Sequence, residues 1–156
     1  MSKVCDHKSV GVIITNEQGA ILLIERKKYP FGFAPPAGHV DEFLSPEDCA
    51  RGEVFEEVGL TVDSLTLLWE GEKHNSCRRE DGTRHYWWVY QATVTGEIER
   101  SEEETKQVGW HTSQEVQELL QKTQAYKEQS LSDVQWEQSP GIELVWADLF
   151  EDSNLT

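Results

Sequence analysis

The sequence predicts an α/β fold in which a mixed β-sheet lies between α-helices, and three features carry that prediction. Residues 9–15 read SVGVIIT and residues 20–25 read AILLIE, two runs too continuously apolar for strands with one solvated face. Residues 45–60 carry the start and stop signals of one compact helix. Residues 85–94, HYWWVYQATV, form an aromatic and β-branched strand, and two further helical patterns follow it.

Composition bounds the answer. The 156 residues suit a single domain over 1–156, large enough to bury a real core, with residues 151–156 as a frayed tail. No stretch reaches the roughly eighteen continuous apolar residues of a membrane span. The opening MSKVCDH has no apolar signal core, which places the chain in the cytoplasm and off the membrane. Cys5, Cys49 and Cys77 are odd in number and widely spaced, with no CxxC, so the sequence suggests reduced thiols and neither a disulfide framework nor a structural zinc site. Fourteen basic residues stand against 29 acidic ones, a net charge of -15 that argues against a long nucleic-acid partner, whose footprint is a basic stripe. A small polyanion stays compatible if metal ions mediate and a cluster such as Arg26-Lys27-Lys28, or Arg78-Arg79 with Arg84, faces it. The plainer reading of those clusters is a solvated edge or loop.

Taken in order, the runs at 9–15 and 20–25 flank Asn16-Glu17-Gln18-Gly19, a turn signal, and the pair reads as a hairpin. Residues 29–38, YPFGFAPPAG, hold too much proline and glycine for a helix or a central strand and read as an ordered loop. Ser45 is a good N-cap, Pro46 suits the first helical position, and Asp48 stands where a capping-box acid reaches back. Gly59 suits a left-handed cap and Leu60 the apolar contact beneath it. Between the caps, Ala50, Val54 and Val58 recur every four residues as a stripe to bury. Glu53, Glu56 and Glu57 fall at i, i+3 and i+4 on another side. No lysine on that helix offsets their repulsion, so a divalent cation is the natural counterweight, and clustered oxygen ligands suit magnesium or manganese better than zinc. The plainer alternative is an acidic solvated face.

Residues 61–70 read as a strand and 74–84 as a polar loop with Asn-Ser and Asp-Gly turn signals. The strand at 85–94 belongs in the middle of a sheet, with Trp87 and Trp88 on opposite faces. A charged loop containing Glu102-Glu103-Glu104 leads to a short strand at 108–111. Thr112 and Glu115 form a capping box for a second helix whose Val116, Leu119 and Leu120 face inward. Residues 123–138 are weakly patterned and read as a surface wrap. A third helix begins after Ser139-Pro140, with Ile142, Val145, Trp146, Leu149 and Phe150 on its buried stripe.

Gly38, Glu53, Val54, the pair Glu56-Glu57 and then Gly59-Leu60 together resemble the Nudix box, the loop-helix signature of the Nudix hydrolases. The order of elements follows that family through nearly the whole chain, so the resemblance implies the Nudix fold. It also implies a magnesium-dependent hydrolase that cleaves a pyrophosphate bond in a nucleoside diphosphate linked to another group. In that pattern Glu53 and Glu57 are the catalytic residues. Glu53, Glu56 and Glu57, the Ala37 main-chain carbonyl and an acid in the loop before the tryptophan-bearing strand, Glu104 or Glu103, hold magnesium, or manganese in its place. Glu53 is the first candidate for the general base and Glu104 the second. Arg26, which ends the second run, and His39, which follows the box glycine, are candidates to contact phosphate. Phe33 reads either as core or as a platform for base stacking. The implied partner is a small nucleotide or nucleotide conjugate, and the chain is a monomer or a homodimer.

The box is degenerate at two places. Leu44 stands where the family has a glutamate, and Gly52 where it has an arginine just before the first catalytic glutamate. Arg51 lies about 100° round the helix from that position and substitutes poorly, while Glu42 or Glu47 are candidates to replace the missing acid. These departures motivate an alternative, a catalytically impaired Nudix-fold module that binds or senses a nucleotide. Nucleoside triphosphates, sugar nucleotides, dinucleoside polyphosphates and capped RNA ends all stay open as substrates, with the acidic charge weighing against the last.

Overall fold

A computed structural model describes residues 3–155 of the chain. Met1, Ser2 and Thr156, the last of these the end of the expected tail, lie outside the described residues. Strands β1 (Lys8–Ile14) and β2 (Ile21–Arg26) are followed by the short strands β3 (Phe33–Ala34) and β4 (Ala37–His39) and by helix α1 (Pro46–Val58). The long strands β5 (Thr61–Lys73) and β6 (His85–Thr95), strand β7 (Thr105–His111) and helices α2 (Ser113–Lys127), α3 (Asp133–Gln138) and α4 (Leu144–Asp152) complete the chain.

The strands form a four-stranded sheet ordered β4-β1-β6-β5 and a three-stranded sheet ordered β3-β2-β7. The first sheet is mixed, with β1 parallel to β6 and antiparallel to β4, and β5 antiparallel to β6. This corrects the hairpin expected of residues 9–25: β1 and β2 lie in different sheets, joined at the turn by a single bridge from Thr15 to Ile21. The Asn16 side chain closes the turn by accepting from the Gln18 and Ala20 amides. Beyond the turn each strand takes two other neighbours, and an apolar run reports burial without saying which strand lies alongside.

Helix α1 covers one face of the layer, where Ala50, Val54 and Val58 pack with Val10, Val12, Ile14, Val62 and Tyr90. On the other face Trp146, Leu149 and Phe150 of α4 and Val116 of α2 pack with Ile13, Leu23, Trp87 and Val89. Each fully buried Val, Leu, Ile or Phe among these contributes about 1.5–3 kcal/mol. Strand β6 runs inside its sheet as expected, sending Trp87 into the α4 side and Trp88 toward the α1 side. The mixed sheet between helices thus forms, with α1 on one side and α2 and α4 on the other.

The C-terminal third differs from its sequence reading. Residues 123–138 lie largely at the surface as expected but are mostly helical: α2 continues to Lys127, and α3 starts at a capping box formed by Ser132 and Gln135. Tyr126 stacks on Trp136 with ring centroids 4.3 Å apart, a contact between lone aromatics that periodicity does not reveal. Helix α4 begins at Leu144 and not after Pro140, because residues 141–143 run extended beside β3: the Phe33 amide donates to the Gly141 carbonyl and the Glu143 amide to the Phe33 carbonyl. Past Asp152, the Leu155 amide donates to the Phe150 carbonyl at 2.9 Å. Among the described residues no helix is long and apolar enough to cross a membrane.

Candidate functional site

Helix α1 is positioned at both ends. Ser45 Oγ accepts from the Asp48 amide at 3.1 Å, one half of the expected capping box. Gly59 sits at φ 75°, where its amide donates to the Phe55 carbonyl. The stripe of Ala50, Val54 and Val58 is fully buried, which turns Glu53, Glu56 and Glu57 toward a cleft of about 420 Å³, a size suited to a small ligand. Arg26, Ala37, His39 and Glu104 line the same cleft. Phe33 and Glu103 are absent from it: the Phe33 ring is buried and meets His111 edge-on at 5.5 Å. Its place is in the core, because β3 turns it inward against α4.

Glu57 is only 6% exposed, and its Oε1 accepts from the Ala37 amide at 3.0 Å. The Val12 amide donates to the Pro36 carbonyl, so the alternating antiparallel ladder leaves the polar groups of Ala37 facing away from β1, toward α1. Gly38 is required for contact: a Cβ there would overlap the Glu53 carboxyl. Burial pushes the Glu53 carboxyl well above the usual carboxylate range, and Glu57, Glu56 and Glu104 push it further. Burial likewise raises Glu57, opposed by Arg26 and the Ala37 amide and reinforced by Glu104 and Glu143. These groups hold their full negative charge only at an electrostatic cost, and oxygen donors in that condition fit a hard divalent cation.

Basic groups stand opposite. Arg26 Nε donates to the Pro30 carbonyl at 2.6 Å and lies 3.1 Å from Glu143 Oε1, a carboxylate that is itself buried. A buried charge left alone is costly, so Glu143 engages part of the cation expected to meet phosphate. Lys28 Nζ pairs with Glu104 at 3.2 Å. Arg79 from the β5–β6 loop holds Asp41 through two bonds of 2.7 and 2.8 Å.

The departures from the box have local explanations. Leu44 is 95% exposed and does not line the cleft. A Cβ at Gly52 would lie 2.5 Å from the Phe43 ring, which fills that space. Arg51 reaches the Val62 carbonyl and does not reach the cleft. Neither Glu42 nor Glu47 lines the cleft, which corrects their reading as replacements for the missing acid; Glu47 accepts from the Tyr90 hydroxyl at 3.0 Å.

One grouping escaped the sequence reading. Cys5, His39, Cys77 and His85 each bring one ligand atom within 4.8 Å of the others. The residues are up to 80 positions apart, so no local spacing signals them. Burial, followed by the Arg79 guanidinium, pushes the His39 imidazole down to about 4, and burial also lowers His85. His39 thus lines the cleft with Nε2 turned toward Cys5 Sγ, 3.6 Å away.

Comparison with known proteins bears on the family and the fold. Over 61 residues the chain is 36% identical to an RNA pyrophosphohydrolase of Tolumonas auensis, a match that takes in 38% of this chain and 34% of that one. The chain thus matches about a third of the length of this curated relative. A MutT NUDIX hydrolase from Burkholderia pseudomallei superposes with a TM-score of 0.62 at 26% identity, over 70% of this chain and 84% of the other. A MutT protein from Methanosarcina mazei superposes with a TM-score of 0.67 at 18% identity over 99% and 96%. The NUDIX domain of NrtR from Shewanella oneidensis, solved with ADP ribose, gives 0.59 at 17% over 76% and 78%. At those identities the last two speak to the fold. The family model described as NUDIX domain matches residues 6–133, well over half of the sequence, and the chain therefore belongs to the NUDIX family.

Proposed function

We propose that this chain is a divalent-cation-dependent pyrophosphohydrolase that cleaves a pyrophosphate bond in a nucleoside diphosphate linked to another group. The observation that carries the reading is the crowding of the Glu53, Glu56 and Glu57 side chains on one cleft, with two carboxyls driven above their ordinary range. Glu53, Glu56, Glu57 and Glu104, with the Ala37 carbonyl, would hold magnesium, or manganese in its place. When bound, such a cation screens the diphosphate and lowers the pKa of a water molecule.

The chain's own residues supply the rest. The Ala37 amide fixes the orientation of Glu57. Glu53, packed against the Gly38 backbone, is the group we assign to take the proton from the attacking water. That water's oxygen bonds to one phosphorus while the bridging oxygen leaves on the other. Arg26, Lys28 and Arg79 line the cleft and supply positive charge for the phosphates. A nucleotide-binding module without turnover is the second reading, favoured by the Phe43 ring over Gly52 and by the exposure of Leu44.

Phosphate release with magnesium decides between them. The panel holds nucleoside triphosphates, sugar nucleotides, dinucleoside polyphosphates and, because of the curated relative's name, a short 5′-triphosphate RNA. Turnover by the wild type that is lost in Glu57→Gln supports the hydrolase. Equal rates for the two proteins would end it.

A further inference from the structure

Four side chains from distant parts of the chain meet at the wall of the cleft, apart from the acidic face of α1. Cys5 precedes β1, His39 ends β4, Cys77 lies in the β5–β6 loop and His85 opens β6. Cys5 Sγ is 3.2 Å from His85 Nε2, 3.6 Å from His39 Nε2 and 3.9 Å from Cys77 Sγ. Zinc bound tetrahedrally, with bonds of about 2.3 Å to sulfur and about 2.0–2.1 Å to nitrogen, sets two sulfurs about 3.8 Å apart and a sulfur and a nitrogen about 3.6 Å apart. The His39 and Cys77 separations match those edges, the His85 one is shorter, and all four ligand atoms lie within 4.8 Å of one another. A disulfide would require the sulfurs to stand about 2.05 Å apart, and these cysteines are free.

We propose that Cys5, His39, Cys77 and His85 form a structural zinc site that ties the N-terminal segment, the end of β4 and the β5–β6 loop together beside the cleft. Backbone amides point at both sulfurs. The His7 amide donates to Cys5 Sγ at 3.3 Å and the Arg79 amide to Cys77 Sγ at 3.4 Å, each from two residues downstream. Gly82 leaves room for the second sulfur, since a Cβ there would overlap Cys77 Sγ. The donor set selects the metal: two thiolates and two imidazoles suit zinc, whereas the acidic face of α1 suits magnesium. Four protein ligands leave no open position for substrate, so the ion is structural and its two positive charges balance two thiolates.

The site has a mechanical consequence. The amide of Cys5 donates to the Glu80 carbonyl and that of Glu80 to the Lys3 carbonyl, so the N-terminal segment already lies along the loop that the ion would lock. That loop carries Asn75, Arg78 and Arg79, all of which line the cleft. Zinc would therefore hold the cationic wall in place opposite the carboxylates. This site does not depend on the hydrolase reading, because a module without turnover would need the same loop held.

The test is metal analysis of the full-length chain, produced with zinc and dialysed into magnesium buffer. About one zinc per chain is expected, with zinc K-edge absorption reporting two sulfur and two nitrogen neighbours at the bond lengths above. Cobalt(II) in its place should give the strong visible bands of a tetrahedral thiolate site, a readout that needs no variant. Cys77→Ser and His85→Asn should each lose most of the zinc, while Glu53→Gln with Glu57→Gln should keep it. Wild-type protein without zinc and without those cobalt bands would overturn the proposal. So would zinc kept by Cys77→Ser, zinc lost with the glutamates, or thiol titration that finds Cys5 and Cys77 joined as a disulfide.

Discussion

The Phe43 ring lies over Gly52 so closely that a Cβ on that glycine would stand 2.5 Å from ring Cε1 and 2.6 Å from Cζ. The glycine that weakens the box helix is therefore the partner of a particular aromatic. An arginine at position 52 would have to expel the ring from its place against the α1-side core.

From this relationship we expect the box-restoring pair Leu44→Glu and Gly52→Arg to give no gain in turnover. Gly52→Arg should lower stability by about 1–3 kcal/mol, the usual cost of overpacking. Phe43→Ala should cost less stability in the Gly52→Arg background than in the wild type, because it removes the obstruction. Urea denaturation of the four proteins of that cycle measures the coupling. Additive costs would show that the two residues do not compete for space.

Gly38 gives a sharper kinetic expectation. A methyl group there overlaps the Glu53 carboxyl, which must move, while the β1–β4 ladder keeps its backbone bonds. A displacement near 1 Å costs about 100-fold in rate. We expect Gly38→Ala to lower kcat by that order, with KM and the melting temperature little changed. A large loss of stability with normal kcat per folded molecule would show that the glycine serves the strand and not the carboxylate.

The buried carboxyls also set a pH dependence for the protein without magnesium. Burial raises both Glu53 and Glu57 above the ordinary value of 4.5. A group whose folded pKa is raised contributes stability that is fully present below its unfolded pKa and is lost as pH climbs through the folded one. In magnesium-free buffer the melting temperature should therefore fall from about pH 5 up to about pH 9. Added magnesium should raise it more at the upper end, where the carboxylates are ionised. Glu57→Gln should flatten the fall and reduce the response to magnesium. A magnesium response that is equal at both ends would sever the link between these carboxyls and the cation.

What the sequence disclosed follows the range of each physical signal. Ser45, the stripe of Ala50, Val54 and Val58, and Gly59 act on neighbours within one or two helical turns, so α1 and its acidic face were legible. The alternation of Trp87 and Trp88 is equally local. The partners of β1 and β2 were not, because a strand buried on both faces carries no mark of which strand lies beside it. Trp136 and Tyr126 are single aromatics in polar surroundings, and a period needs several. Cys5 and His85 meet across 80 residues of chain, a contact that only the finished fold creates. Phe33 shows the converse: its glycine-rich and proline-rich loop left core and stacking both open, and β3 settles it as core.

Arg79 and Asp41 offer the last test, since their pairing joins the β5–β6 loop to the residues that follow β4. The guanidinium meets both carboxylate oxygens, at 2.7 and 2.8 Å, and these hydrogen bonds, with its charge, hold Asp41 below the usual carboxylate range. Both side chains are partly exposed, so solvent screening limits the pair to about 1 kcal/mol despite the two-pronged geometry. Lysine keeps the charge and loses the fork. If Arg79 serves the cleft by staying docked on Asp41, then Arg79→Lys and Asp41→Asn should each raise KM with kcat nearly unchanged. The double variant should then be no worse than the weaker single, because both remove the same contact. If instead Arg79 leaves Asp41 to grip phosphate, Asp41→Asn frees it and lowers KM while Arg79→Lys raises it. We expect the first pattern, because the Arg79 amide is also tied to Cys77 Sγ and anchors the backbone that carries the guanidinium.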